Sequence, residues 1–187
     1  MGKLRLYIAC TLDGFIASLD GGLEWLDKLA DSEHNDYGFE DFYKTVDSIV
    51  MGGNTYREVI GFGIEWPYKD KLSYIITRNI NTKKVNENIE FVHSDAIEVI
   101  KQVKEDSKND IWLVGGGEII SLMLDHKLID DITLFIAPVI LGKGVLLFPN
   151  SPKERELKLN SCKSHTSGLI EINYEVVYPA EGKKYVL

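Results

Sequence analysis

Twice in this chain a short apolar run breaks into glycines and then into helix-forming sequence. Ser48 to Met51 runs into Gly52-Gly53-Asn54-Thr55, and Ile111 to Val114 runs into Gly115-Gly116-Gly117-Glu118. Strand, glycine turn and helix make the repeating unit of an α/β fold, because parallel strands are joined by helical crossovers. The same unit suits an anion: glycine lets the backbone approach closely, and the helix that follows aims free amides and its positive dipole end at the turn. One such turn is commonplace packing. Two in one domain favour a dinucleotide, whose linked phosphates need more than one anchor. Neither turn has the G-x-G-x-x-G spacing, which excludes the ordinary Rossmann fingerprint.

The rest of the chain reads as the same alternation. Leu4 to Cys10 is a strand, broken at Asp13-Gly14 and resumed over Phe15 to Ala17, with a second breaker at Asp20-Gly21-Gly22. From Ser32 to Tyr43, Tyr37, Phe39, Phe42 and Tyr43 recur at helical spacing and predict a helix with an aromatic face. Helices are also predicted over Thr55 to Ile60, closed by Gly61, over Asp95 to Lys104 and over Glu118 to Leu128. Leu72 to Thr77 and Ile89 to His93 read as strands. After Ile132 the character changes: Thr133 to Ile140 and Ile170 to Tyr178 are long β-rich runs, joined by polar sequence with Gly142, Gly144, Pro149 and Pro152. They predict a β-hairpin added to the sheet edge. The expected architecture is a single three-layer α/β/α domain over 1–187, its sheet mixed but mainly parallel, with a C-terminal antiparallel hairpin. A long apolar edge strand over Leu134 to Ile140 would need a cover, so a homodimer through that edge is expected.

A formal net charge of −8 and the lack of any Lys/Arg stripe argue against nucleic acid, while leaving room for an anion held by a few local cations. Cys10 and Cys162 stand far apart without a C-x-x-C pattern and read as reduced thiols. His34, His93, His126 and His165 are scattered, so no metal is expected. Met1 to Cys10 reads as a strand rather than a signal peptide, and no apolar stretch approaches the roughly 20 residues of a membrane span. A cytoplasmic protein without membrane contact is expected.

Four segments in order carry a family resemblance: T-L-D-G-F-I-A at 11–17, V-D-S-I-V-M-G-G-N-T-Y at 46–56, V-G-G-G-E at 114–118, and A-P-V-I-L-G-K-G-V-L-L-F at 137–148. Together they resemble the dihydrofolate-reductase-like fold and, more closely, the riboflavin-biosynthesis reductases that include the RibD C-terminal domain. The resemblance implies NADPH as cofactor, with the backbone of Ala9 and Ile16 holding the nicotinamide carboxamide. Gly52, Gly53, Asn54 and Thr55 would hold the pyrophosphate together with Val114, Gly115, Gly116, Gly117, Glu118 and Ile119. Thr77 and Arg78 would take the adenosine 2′-phosphate, for which a guanidinium is a fork-shaped donor. Dihydrofolate reductases often carry an arginine where this chain has Asn54, which weakens the expected preference for NADPH over NADH.

The implied reaction is hydride transfer to a small pyrimidine or pterin-like heterocycle, of the 5-amino-6-(5-phosphoribosylamino)uracil reductase type. Dihydrofolate reduction and a non-catalytic NADP(H)-binding role are the alternatives. No H-x-E or P-C-x-x-C zinc pattern of an accompanying deaminase occurs. Hydride transfer to C=N or C=O also needs a proton. Asp36 is the candidate acid, with Tyr37 and Phe39 placed to sandwich a planar ring; its other reading is a helix cap or solvated acid. Asp13 is the second acid considered for the substrate, its other reading being turn chemistry. Lys143 is either a substrate-phosphate ligand or a surface lysine, and His93 is placed beside the adenine end.

Overall fold

The computed structural model describes residues 1–27, 29, 36–149 and 154–178. The apolar runs become strands of one eight-stranded sheet: β1 (Leu4–Thr11), β3 (Val46–Gly52), β4 (Leu72–Ile76), β5 (Ile89–Val92), β6 (Asp110–Gly115), β7 (Ile129–Ala137), β9 (Glu156–Ser164) and β10 (Ile170–Val177). Their order is β5-β4-β3-β6-β1-β7-β10-β9. The six strands from β5 to β7 pair in parallel, and β10 and β9 are added antiparallel. Two short strands, β2 (Phe15–Ala17) and β8 (Val145–Leu146), form a separate antiparallel pair.

Helices cover both faces, which is why the parallel strands read as unbroken apolar runs. In β3, Ile49 and Met51 point one way and Val50 the other. Ile49 and Met51 pack with Phe42 of α2 (Phe39–Lys44) and with Tyr56 and Val59 of α3 (Gly53–Gly61). Val50 packs with Ile100 of α4 (Ala96–Asp106) and with Ile120 and Met123 of α5 (Gly117–Asp125). A third cluster joins Trp25, on the one-turn helix α1 (Glu24–Asp27), to Phe135, Ala137 and Leu169. This is the three-layer, mainly parallel architecture expected.

Several details depart from the expectation. The aromatic helix starts at Phe39: Tyr37 and Gly38 take left-handed backbone with φ of 53° and 82°, which a helix cannot contain. Residues 32–35 of that predicted helix lie outside the described residues. Thr133 to Ile140 is not an edge, because β7 lies between β1 and β10. The edge hairpin is made by β10 with β9, a strand over Glu156 to Ser164 that sequence reading passed over: it is exposed along its whole length, and Leu157 and Leu159 are its only large apolar residues. The alternation of Leu157 and Leu159 with polar neighbours stops after two repeats, where the register shifts, too short a signal to mark a strand. An edge dimer through Leu134 to Ile140 is therefore ruled out. Among the described residues, no helix is long and apolar enough to cross a membrane, and no cluster of His, Cys, Asp or Glu is arranged to hold a metal.

Candidate active site

A cleft of about 1600 Å³ runs across the carboxyl ends of β1, β3, β4 and β6. In open α/β sheets this is where the strand order reverses and ligands enter. Both glycine turns open onto it. The first residues of α3 and α5 follow Gly52 and Gly116, neither of which supplies a side-chain cap, so first-turn amides of two helices face one cavity without a side-chain acceptor. Such a pair of positive helix ends fits a linked diphosphate.

The glycines themselves divide into two kinds. A Cβ on Gly53 would stand 2.6 Å from Thr77 Oγ1, and one on Gly117 would stand 2.2 Å from the Leu146 carbonyl oxygen, so the protein's own packing requires glycine there. Gly115 has φ of +131°, a backbone that favours glycine. A Cβ on Gly116 would meet only Thr55 Oγ1, at 3.2 Å, leaving the remaining space to the cleft. Every residue expected at the cofactor lines this cavity: Ala9, Ile16, Gly52 to Thr55, Thr77, Arg78 and Val114 to Ile119.

At the β4 end, the Thr77 carbonyl accepts from His93 Nδ1 at 2.8 Å, and since a carbonyl only accepts, Nδ1 carries the proton. Thr77 Oγ1 accepts the Asn79 amide at 3.2 Å. Arg78 and Arg57 both line the cleft. Sequence reading missed Arg57, although the signal was present: it follows Asn54 by three residues on the helix leaving the glycine turn, and so shares its face. Arg57 Nη2 donates to Asn54 Oδ1.

The other end is aromatic. Tyr7, Phe39, Trp112 and Phe135 line it, with Tyr7 and Phe39 at a centroid distance of 6.1 Å and Phe39 edge-on to Trp112 at 5.3 Å. Burial pushes the Tyr7 phenol well above its ordinary value, so it stays protonated. Tyr37 also faces the cavity, its hydroxyl donating to the Leu29 carbonyl at 2.8 Å and lying 3.0 Å from Ser167 Oγ.

Asp36 reaches the cleft rim as a capping carboxylate: it accepts the Glu40 amide at 2.8 Å and the Gly38 amide at 2.9 Å. These two N–H groups hold its carboxyl below the usual 3.8. The carboxylate expected as the general acid therefore lines the cleft with its ionised form favoured by two backbone amides. Asp13 accepts from Thr11 Oγ1 at 2.6 Å, the Leu141 amide at 3.1 Å and the Gly142 amide at 2.7 Å, and so ties the first turn to the loop after β7, off the cleft. Lys143 is exposed and also off the cleft. Trp25 and Trp66 are core residues and do not line this cleft.

Comparison with known proteins follows the same lines. Residues 66–170 match the model of the RibD C-terminal domain. The uncharacterized protein YwjB of Bacillus subtilis (strain 168) is 34% identical over 161 residues, covering 86% of this chain and 91% of its own length. YyaP of the same organism, likewise uncharacterized, is 29% identical over 184 residues, covering 92% of this chain and 94% of its own. Among solved structures, a Shewanella sp. PV-4 protein named for riboflavin biosynthesis superposes with a TM-score of 0.83 at 26% identity, covering 95% of this chain and all of its own. A Thermotoga maritima deaminase and 5-amino-6-(5-phosphoribosylamino)uracil reductase gives a TM-score of 0.70 at 17% identity, with 94% of this chain on 57% of that one; at this identity the likeness is of fold alone.

Proposed function

This chain belongs to the RibD C-terminal domain family, and from that premise we propose that it is a cytoplasmic NADPH-dependent reductase of a pyrimidine or pterin-like heterocycle. The 5-amino-6-(5-phosphoribosylamino)uracil type is the preferred substrate class. The observation that carries the reading is the single cleft into which two uncapped helix N-termini, the Thr77-Arg78 corner and an aromatic chamber all open.

When bound, NADPH supplies a hydride to a C=N or C=O carbon while a proton joins the heteroatom, leaving NADP⁺. The amides that start α3 and α5 would hold the pyrophosphate, and Thr77 and Arg78 the 2′-phosphate. The backbone of Ala9 and Ile16 would hold the carboxamide at the carboxyl end of β1. Tyr37 and Phe39 would hold the ring of the substrate in the aromatic chamber. Asp36, ionised and with lone pairs beyond its two capping bonds, would accept a ring N–H or amino group rather than give up a proton.

The test is calorimetric titration of the protein with NADPH and NADH, alongside Arg78→Ala, followed by a substrate screen reading loss of reduced-cofactor absorbance. NADPH binding that falls towards the NADH level in Arg78→Ala supports the reading; no binding of either coenzyme overturns it. A homodimer remains part of the reading, moved to the outer hairpin. There Leu157, Leu159 and Cys162 of β9 stand opposite Val176, Tyr174 and Ile172 of β10, giving an uncharged face. Light scattering checks it, and a monomer at all working concentrations refutes it.

A further inference from the structure

We propose that Arg57 is the second cation of the adenosine-phosphate corner, gripping the 2′-phosphate from the α3 side while Arg78 grips it from the end of β4, and that this pair sets the preference for NADPH over NADH. The inference rests on the cleft being the dinucleotide site proposed above.

Three observations meet at this corner. First, the chain carries 29 acids against 21 lysines and arginines, so a guanidinium usually has a carboxylate within reach, yet among the described residues neither Arg57 nor Arg78 is in an ion pair. Glu58, the adjacent acid, turns its carboxylate to Gly21 instead, its Oε2 standing 2.6 Å from where a Cβ on that glycine would be. Second, Arg57 converges with the β4 corner. The point where a Cβ on Gly53 would stand lies 2.6 Å from Thr77 Oγ1 and 3.5 Å from Arg57 Nη1, so the hydroxyl and the guanidinium flank the same glycine at the start of α3. Thr77 leads directly into Arg78, which lines the same cleft. Third, Arg57 is held in advance. Its Nη2 donates to Asn54 Oδ1, one turn back on the same helix, which orients the planar fork and leaves its other N–H groups free.

A phosphate monoester is the ligand these features select. It carries close to two negative charges and three acceptor oxygens, enough for two guanidinium forks and a hydroxyl. The 2′-hydroxyl of NADH carries no charge and satisfies at most one of them. Holding the guanidinium beforehand lowers the ordering cost of binding, so part of the selectivity resides in Asn54, which acts as a positioning residue. Asn54 thus contributes to NADPH preference through its neighbour, where the sequence alone suggested a loss.

The experiment titrates wild type, Arg57→Ala, Arg57→Lys and Asn54→Ala with NADPH, NADH and the half-ligands 2′,5′-ADP and 5′-AMP, with thermal unfolding as a folding check. Arg57→Ala is expected to weaken NADPH and 2′,5′-ADP by about 10- to 100-fold, the range of a charge-assisted hydrogen-bond pair, with NADH and 5′-AMP unchanged. Arg57→Lys should recover part of the loss, and Asn54→Ala should weaken only the ligands that carry the 2′-phosphate, by about 3- to 10-fold. Equal losses for ligands with and without the 2′-phosphate would overturn the assignment, as would no loss at all. A wild type that binds neither coenzyme would bring down the proposed function and this inference together. A wild type that prefers NADPH, with an Arg57→Ala variant that keeps the preference, would sink the inference alone.

Discussion

Replacing Gly117 by Ala separates a glycine that the fold requires from its neighbour that faces the ligand. The added methyl would lie 2.2 Å from the Leu146 carbonyl oxygen, 2.5 Å from Pro149 Cδ and 3.0 Å from Pro149 Cγ. A main-chain carbonyl and a ring cannot turn aside as a rotamer would. The segment is also tied down, since Ser121 Oγ of α5 donates to the Pro149 carbonyl at 2.7 Å and Leu147 donates its amide to the Gly14 carbonyl at 2.9 Å. Relief must come from moving the β8 segment off the start of α5. Overpacking of this kind costs about 1–3 kcal/mol, and a contact with main chain belongs at the upper end. For a chain of this size each kcal/mol lowers the melting temperature by about 2–4 °C, so Gly117→Ala should melt about 4–10 °C below wild type. At Gly116 the methyl would meet only a hydroxyl that can rotate, and the cost is that of Ala at a helix N-cap, about 0.5–1 kcal/mol or about 1–4 °C. Gly116→Ala should therefore fold nearly as wild type and lose NADPH affinity, because its methyl stands in front of the amides that would receive the pyrophosphate. Circular dichroism melts with parallel coenzyme titrations read both quantities. A Gly117→Ala melt within 1–2 °C of wild type, about the size of a neutral surface change, would refute the packing argument.

Three further outcomes follow from the geometry outside the cleft. Lys104, 4% exposed, donates to the Leu128 carbonyl at 2.7 Å and to Asp130 Oδ2 at 2.5 Å; because the Asp130 carboxylate is partly exposed and keeps the Leu4 amide, Lys104→Ala should cost about 1–3 kcal/mol in urea unfolding. Tyr43 Oη donates to Asp70 Oδ1 at 2.6 Å and holds that carboxyl below the usual 3.8; a lowered folded-state value means stability present above that pH and lost as pH falls through the lowered value. Tyr43→Phe should then flatten the acid limb of the stability profile below about pH 4 and leave its slope at neutral pH unchanged. Burial pushes the Cys10 thiol up to about 11, whereas Cys162 is exposed on β9 of the single chain, so a disulfide reagent at neutral pH and at protein concentrations low enough to dissociate the proposed dimer should label Cys162 quickly and Cys10 only on unfolding.

What was legible in the sequence follows from how local each signal is. The two glycine turns were readable because an apolar run, a glycine and a helical period sit side by side in the chain, and the cleft is built from the ends of those units. The aromatic side of the cleft was only partly readable. Phe39 and Tyr37 stood out by spacing, but Tyr7, Trp112 and Phe135 come from three different strands and meet only when β6 and β7 flank β1. The two acids share a use that composition and offset do not distinguish from catalysis: Asp36 accepts the amides of Gly38 and Glu40 in its own turn, and Asp13 those of Leu141 and Gly142 from the distant loop after β7. Arg57 was missed in the opposite way, since an exposed arginine on a helix looks solvated until the fold brings Thr77 and Gly53 against it. The position of a charge relative to the turns therefore carries more information than its type. In this cleft the Asp36 carboxylate is already engaged by the chain's own turn, whereas the guanidiniums of Arg57 and Arg78 are without a carboxylate among the described residues and remain available to an anion.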